Sequence, residues 1–223
     1  MTTLGTQREW LRTPANNYCD ARERDPALSD RKRLAQEPRT VLPKAMNNVI
    51  EELIASAARH RREGKPTDAA LEWAEAAKLS RQQNDIPNLI RSLKGAADAE
   101  RDLGRNREAG DLYEEAVALC RQQNDALLLA HTVRHLGDVR RHIGQLEGAQ
   151  SCYEEALGIY RKEPEANPLD VANALRPFAI LKEKMGDFDG ARAFWREARE
   201  LYKSLAIDAG VAGASQALAR LGE

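Results

Sequence analysis

From about residue 46 the apolar residues recur at helical spacing, with punctuation at fixed intervals. Gly64, Gly104, Gly144 and Gly186 stand 40, 40 and 42 residues apart, and each opens the same pattern. Five residues on comes alanine (Ala69, Ala109, Ala149, Ala191), and nine on comes a large aromatic (Trp73, Tyr113, Tyr153, Trp195). Alanine returns at the twelfth place (Ala76, Ala116, Ala156, Ala198). Steps of four and three put these positions on one face of a helix, where the alanines let a neighbouring helix approach and the ring fills the space between them. Before each glycine runs another amphipathic stretch. In the third copy Val133, Leu136, Val139 and Ile143 form its apolar stripe, and in the second Leu93, Ala96 and Leu103 do so.

The boundaries carry their own signals. The pentapeptide RQQND occurs at 81–85 and 121–125, and RKEPE stands at the third place. Asp85 and Asp125 are predicted to cap the helices that follow, their carboxylates accepting from unpaired backbone N–H groups. In the stretched third connection Asn167 is the predicted cap and Pro168 the first helical residue. The four glycines are predicted to end the first helix of each copy in a left-handed conformation. Pro177, inside the fourth first helix, removes one backbone bond and predicts a kink. Near the end LARLG (218–222) echoes VRHLG (133–137), which predicts half a copy serving as a lone closing helix.

The alanine–aromatic–alanine helix after a glycine turn resembles the second helix of the tetratricopeptide repeat family, over residues 46 to about 205. The first helices depart from the family: Leu53, Leu93, Val133 and Leu175 replace its frequent tryptophan, and only the third copy has Leu136-Gly137. The long period is similar to the helix pairs of kinesin light chains and Pins-type scaffolds. The resemblance implies an all-α fold, a right-handed α-solenoid of four helix hairpins over about 46–85, 86–125, 126–165 and 166–206, with a capping helix over 207–223. It also implies a protein or peptide ligand held on a concave wall made by the first helices.

On the side of those helices opposite the apolar stripe stand Arg91, Lys94, Asp98 and Arg101, then His131, Arg134, His135, Asp138, Arg141 and His142, then Asn173 and Arg176. First helices sum to a positive charge and second helices to a negative one, so a basic wall and an acidic back are expected. Such a wall suits an acidic or phosphorylated peptide, bound through charge-assisted hydrogen bonds that weaken with salt. Arg101, Arg134, Arg141 and Arg176 are the expected anion contacts, with Asp98 and Asp138 orienting them. The family's chaperone-carboxylate clamp is not expected, because Ile54, Ala58, Asp98 and Pro177 occupy places where it needs lysine, asparagine or arginine.

Composition narrows the alternatives. A net charge of −1 gives no general pull toward nucleic acid or anionic lipid. The longest apolar run, Ala126 to Ala130, is far below the roughly twenty residues of a membrane span, and the start has no apolar signal core. Cys19, Cys120 and Cys152 are odd in number and lack CxxC spacing, which reads as free thiols and a cytoplasmic protein. His131, His135 and His142 share one helix face, yet one straight helix cannot wrap a metal, so neither metal nor cofactor is expected. No GxSxG, HExxH or phosphate-loop motif is present, and the reading is a non-enzymatic adaptor. A self-associating oligomer is the alternative, with nucleic-acid binding or metal-responsive regulation ranked below it. Residues 1–45, with four prolines and nine basic against six acidic residues, read as a flexible arm ahead of Met46.

Overall fold

A computed structural model describes residues 44–223. The arm expected over 1–45 lies outside the described residues except for its last two, which already belong to the first helix. The order is α1 (Lys44–Arg62), α2 (Pro66–Gln82), α3 (Ile86–Asp102), α4 (Asn106–Cys120), α5 (Ala126–His142), α6 (Leu146–Tyr160), α7 (Pro168–Lys184), α8 (Phe188–Ser204) and α9 (Asp208–Arg220). Among the described residues there is no strand.

Each helix begins and ends for a local reason. Asp85 accepts from the Asn88 N–H (3.3 Å), Asp125 from Leu128 (2.9 Å) and Asn167 from Leu169 (2.9 Å), satisfying donors that a first turn leaves open. At the end of α3, Gly104 takes φ +78°. That turn lets the Arg105 N–H reach back to the Glu100 carbonyl at 2.9 Å. Gly64, Gly144 and Gly186 repeat it. The two RQQND copies diverge at their asparagines: Asn84 adopts φ +53°, whereas Asn124 is not left-handed.

The pattern read from the sequence is the core. Every alanine five and twelve residues after a turn glycine is 0% exposed, and the four rings between them lie at 7% or less. Consecutive helices pack pairwise along the chain. In addition α1 approaches α3 and α5 approaches α7, while no successive pair of second helices comes as close. First helices therefore form the inner wall of an α-solenoid and second helices its outer side. Outside, the arginine of each repeated segment reaches the next unit: Arg81 to Glu115 (2.7 Å), Arg121 to Glu155 (3.0 Å) and Arg161 to Glu197 (2.8 Å).

Helix α7 runs through Pro177, which is buried. One local expectation is revised. Gly222, matched by sequence echo to the mid-helical Gly137, has φ +85° just past α9. It is thus the counterpart of the four turn glycines. Helix α9 covers α8 through Ala214, Ala217 and Leu218, with Trp195 and Ala191 beneath.

Candidate functional site

The middle of the inner wall is a connected polar lattice. Asp98 of α3 accepts at Oδ1 from the Tyr113 hydroxyl (2.6 Å) and the Arg101 guanidinium (3.1 Å), and at Oδ2 from Arg61 of α1 (3.1 Å). Asp138 of α5 occupies the same place one unit on. It accepts from the Tyr153 hydroxyl at 2.8 Å and from Arg134 at 3.5 Å. Both tyrosines come from second helices. Their rings fill the interior and their hydroxyls emerge against the wall.

His135 joins the two groups. Its ring stacks on Tyr113 with centroids 5.7 Å apart and planes within 4°, and meets His131 edge-on at 4.6 Å. Arg134 Nη2 lies 2.8 Å from its Nε2, Arg101 Nη1 3.4 Å from its Nδ1, and Asp138 Oδ2 3.8 Å from that same Nδ1.

The electrostatics follow from this crowding. Burial alone would raise the Asp98 carboxyl pKa, but Arg61, Arg101 and the Tyr113 hydrogen bond hold it below the usual carboxylate range. Burial, and then the neighbouring carboxylate, push the Tyr113 and Tyr153 hydroxyls well up, so both remain donors. Burial also drives His131 and His135 well below the ordinary histidine value, and the cations Lys94, Arg134 and Arg101 add to it. Both imidazoles are neutral at pH 7.

The remaining expected wall residues differ in their freedom. Arg91 is held by Glu51 (3.0 Å) and Asn88 (2.9 Å). Among the described residues the Arg141 side chain has only the Tyr153 hydroxyl, at 3.4 Å, and His142 is exposed with Nδ1 donating to the Asp138 carbonyl at 2.6 Å. Asn173 accepts from the Tyr202 hydroxyl at 3.1 Å. Lys94 and Arg176 are half-buried and have no carboxylate within ion-pair distance among the described residues. The Nε of Arg176 is buried without a hydrogen-bond partner among the described residues. Arg134 and Asp138, expected on the open wall, are instead only 7% and 9% exposed. The reason is that α7 packs across α5, and Tyr153 draws the carboxylate inward.

Sequence reasoning overlooked Arg61, Tyr113 and Tyr153. Arg61 stands three residues before its turn glycine, as Arg101 and Arg141 do, so the repeat register contained its signal. The tyrosines were read only as filler, although the two units with tyrosine are the two with aspartate six residues before the glycine. Among the described residues no group of three or more His, Cys, Asp or Glu is placed to hold a metal ion. Cys120 and Cys152 are buried free thiols, raised in pKa by burial. No described helix is long and apolar enough to cross a membrane.

Stacked hairpins with a lined inner wall define a repeat solenoid. The tetratricopeptide repeat model matches residues 125–204, and the stacked hairpins have the tetratricopeptide-repeat architecture. The apo form of RapI superposes with a TM-score of 0.74 at 13% identity, over 97% of this chain and 74% of its own. BtubC (BKLC) from P. vanneervenii gives 0.67 at 17%, over 85% and 74%. A putative kinesin light chain repeat protein of Podosopora anserina gives 0.65 at 16%, over 80% and 90%. At these identities the likeness is one of fold. No curated protein matches the sequence. Tetratricopeptide repeats generally mediate protein–protein interactions and are generally non-catalytic scaffolds.

Proposed function

We propose that the chain is a non-enzymatic adaptor of the cytoplasm whose inner wall binds an acidic or phosphorylated peptide segment. The observation that carries this reading is the pair Lys94 and Arg176. They occupy the same place in α3 and α7, ten residues before the turn glycine, and neither is neutralised by a carboxylate among the described residues. Arg141, with a tyrosine hydroxyl as its one side-chain hydrogen-bond partner among the described residues, is the third open cation. A half-buried cation has lost part of its hydration, so an arriving carboxylate or phosphate gains more there than at an open surface. The two central aspartates do not quench the wall, because each is already engaged by a tyrosine and by arginine. In this reading Lys94, Arg141 and Arg176 contact the ligand, while Arg101, Asp98 and Asp138, with Arg134 as long as it is bonded to His135, keep the wall in shape.

The test is fluorescence anisotropy with a labelled twelve-residue peptide of alternating glutamate and glycine, beside a lysine–glycine counterpart. Saturable binding of the acidic peptide alone, weakening as salt rises from 50 to 500 mM, is the expected result. Equal binding of both peptides, or none of either, overturns the reading.

A further inference from the structure

We propose that His135 makes anion binding on the inner wall proton-linked, by holding Arg134 when neutral and releasing it toward the ligand when protonated. This rests on the reading of the wall as an anionic-peptide site and adds its regulation. The argument is one of donors and acceptors. Arginine only donates, so the 2.8 Å contact from Arg134 Nη2 requires a lone pair on His135 Nε2. Arg101 Nη1 also approaches the ring, at Nδ1, but at 3.4 Å, and a neutral imidazole accepts at one nitrogen only, so the shorter contact takes the lone pair. The one ring proton then belongs on Nδ1, where Asp138 Oδ2 stands 3.8 Å away. A second proton, on Nε2, would set N–H against N–H at that distance. Taking up the proton therefore breaks the Arg134–His135 bond. Conversely, an anion that draws Arg134 away exposes the Nε2 lone pair and favours the proton.

The surroundings make this an antagonism between proton and lattice rather than an ordinary surface titration. From α1, Arg61 faces the imidazole, and from α3, Lys94, Asp98 and Arg101 do so. Helix α4 contributes the stacked Tyr113. Helix α5 itself adds His131, Arg134, Asp138 and His142, and α6 adds Tyr153 on the far oxygen of Asp138. Helix α7, which packs on α5, carries Arg176 and, in its first turn, Asp170. Around His135 cations prevail, and a negatively charged ligand reverses that balance. The ligand and the proton thus favour the same state, and each must raise affinity for the other.

The probe is the glutamate–glycine peptide, whose carboxylates stay ionised above about pH 5.5. Its affinity for the full chain should rise about three- to ten-fold between pH 7.5 and 5.5, as linkage of up to one proton allows. The His135→Gln variant, unable to titrate, should lose that slope, whereas His131→Gln should keep most of it. Calorimetry of the unaltered chain in two buffers of different ionisation enthalpy gives a second readout, with proton uptake expected on binding at pH 6.5. Peptide binding without pH slope or proton uptake overturns the linkage and leaves the peptide site standing. A slope unchanged in His135→Gln also overturns the assignment to His135. Absence of peptide binding at every pH overturns the site and the linkage together.

Discussion

The two central units and the two terminal ones solve the same packing problem with different chemistry. In the centre the ring is tyrosine, Tyr113 or Tyr153, and its hydroxyl finds an aspartate six residues before the turn glycine. At the ends the ring is tryptophan and that aspartate is replaced by Ala58 or Ile180. Trp195 Nε1 donates instead to Glu183 at 2.7 Å, and Trp73 Nε1 is buried without a hydrogen-bond partner among the described residues. The receiving surfaces match. Trp73 lies against Gly95 of the next unit, where any side chain would collide with it, whereas the smaller Tyr113 stacks on His135 at the equivalent place. Identical backbone slots thus hold a polar lattice in the middle of the array and apolar closure at its ends, and the candidate site lies where the lattice is.

The largest expected effect comes from cutting that lattice. Asp138→Ala strands Arg134, Tyr153 and His135 around a buried position and should cost about 3 kcal/mol or more. Ile180→Ala, at the corresponding terminal place, removes part of a half-buried side chain and should cost about 1–2 kcal/mol. Tyr153→Phe, which keeps the ring and removes one hydrogen bond to a carboxylate, falls between at about 1–3 kcal/mol. Urea denaturation of the three variants measures the order, and equal losses at the two positions would erase the distinction.

Next come the glycines. A Cβ on Gly95 would collide with the Trp73 ring, so Gly95→Ala should destabilise by about 1–3 kcal/mol despite alanine's better helix propensity. Gly158 in α6 meets nothing within 4 Å, and Gly158→Ala should stabilise by up to about 1 kcal/mol. Thermal melts of the pair give opposite signs if the tryptophan seat is as tight as the geometry indicates.

Acid should act on the centre before the ends. His131 and His135 are neutral when folded and take up protons near pH 6.5 when unfolded, so below that pH the unfolded state binds more protons. Stability should be flat above about pH 7 and fall as pH drops through 6.5, by up to about 1.4 kcal/mol per pH unit for each histidine. Denaturation midpoints from pH 8 to 5 measure this, and a double His131→Gln, His135→Gln chain should show a flatter profile. The smallest effect belongs to the outer ladder. Arg121→Ala breaks an exposed pair with Glu155 and should cost no more than about 1 kcal/mol, less still in 0.5 M salt.

The solenoid could be read from the chain because its determinants are local and repeated. One glycine, two alanines and one ring per unit fix a helix end and a packing face without reference to anything distant. The wall was legible by residue type and not by state. A helical-face argument treats each helix alone, so it placed Arg134 and Asp138 on an open surface, although Tyr153 from the next helix reaches over and draws them in. Arg61 escaped for a related reason. Its partners, Asp98 and Asp102, lie a whole unit away and become neighbours only when α1 stacks on α3.

The central claim is that cations left open on the inner wall receive an acidic chain, and reversing two of them tests it most directly. Titration of the labelled glutamate–glycine peptide into Lys94→Glu, Arg176→Glu double variant, with helicity checked by circular dichroism, should show binding lost at least ten-fold while the fold is retained. Undiminished affinity in a fully helical variant would contradict the account.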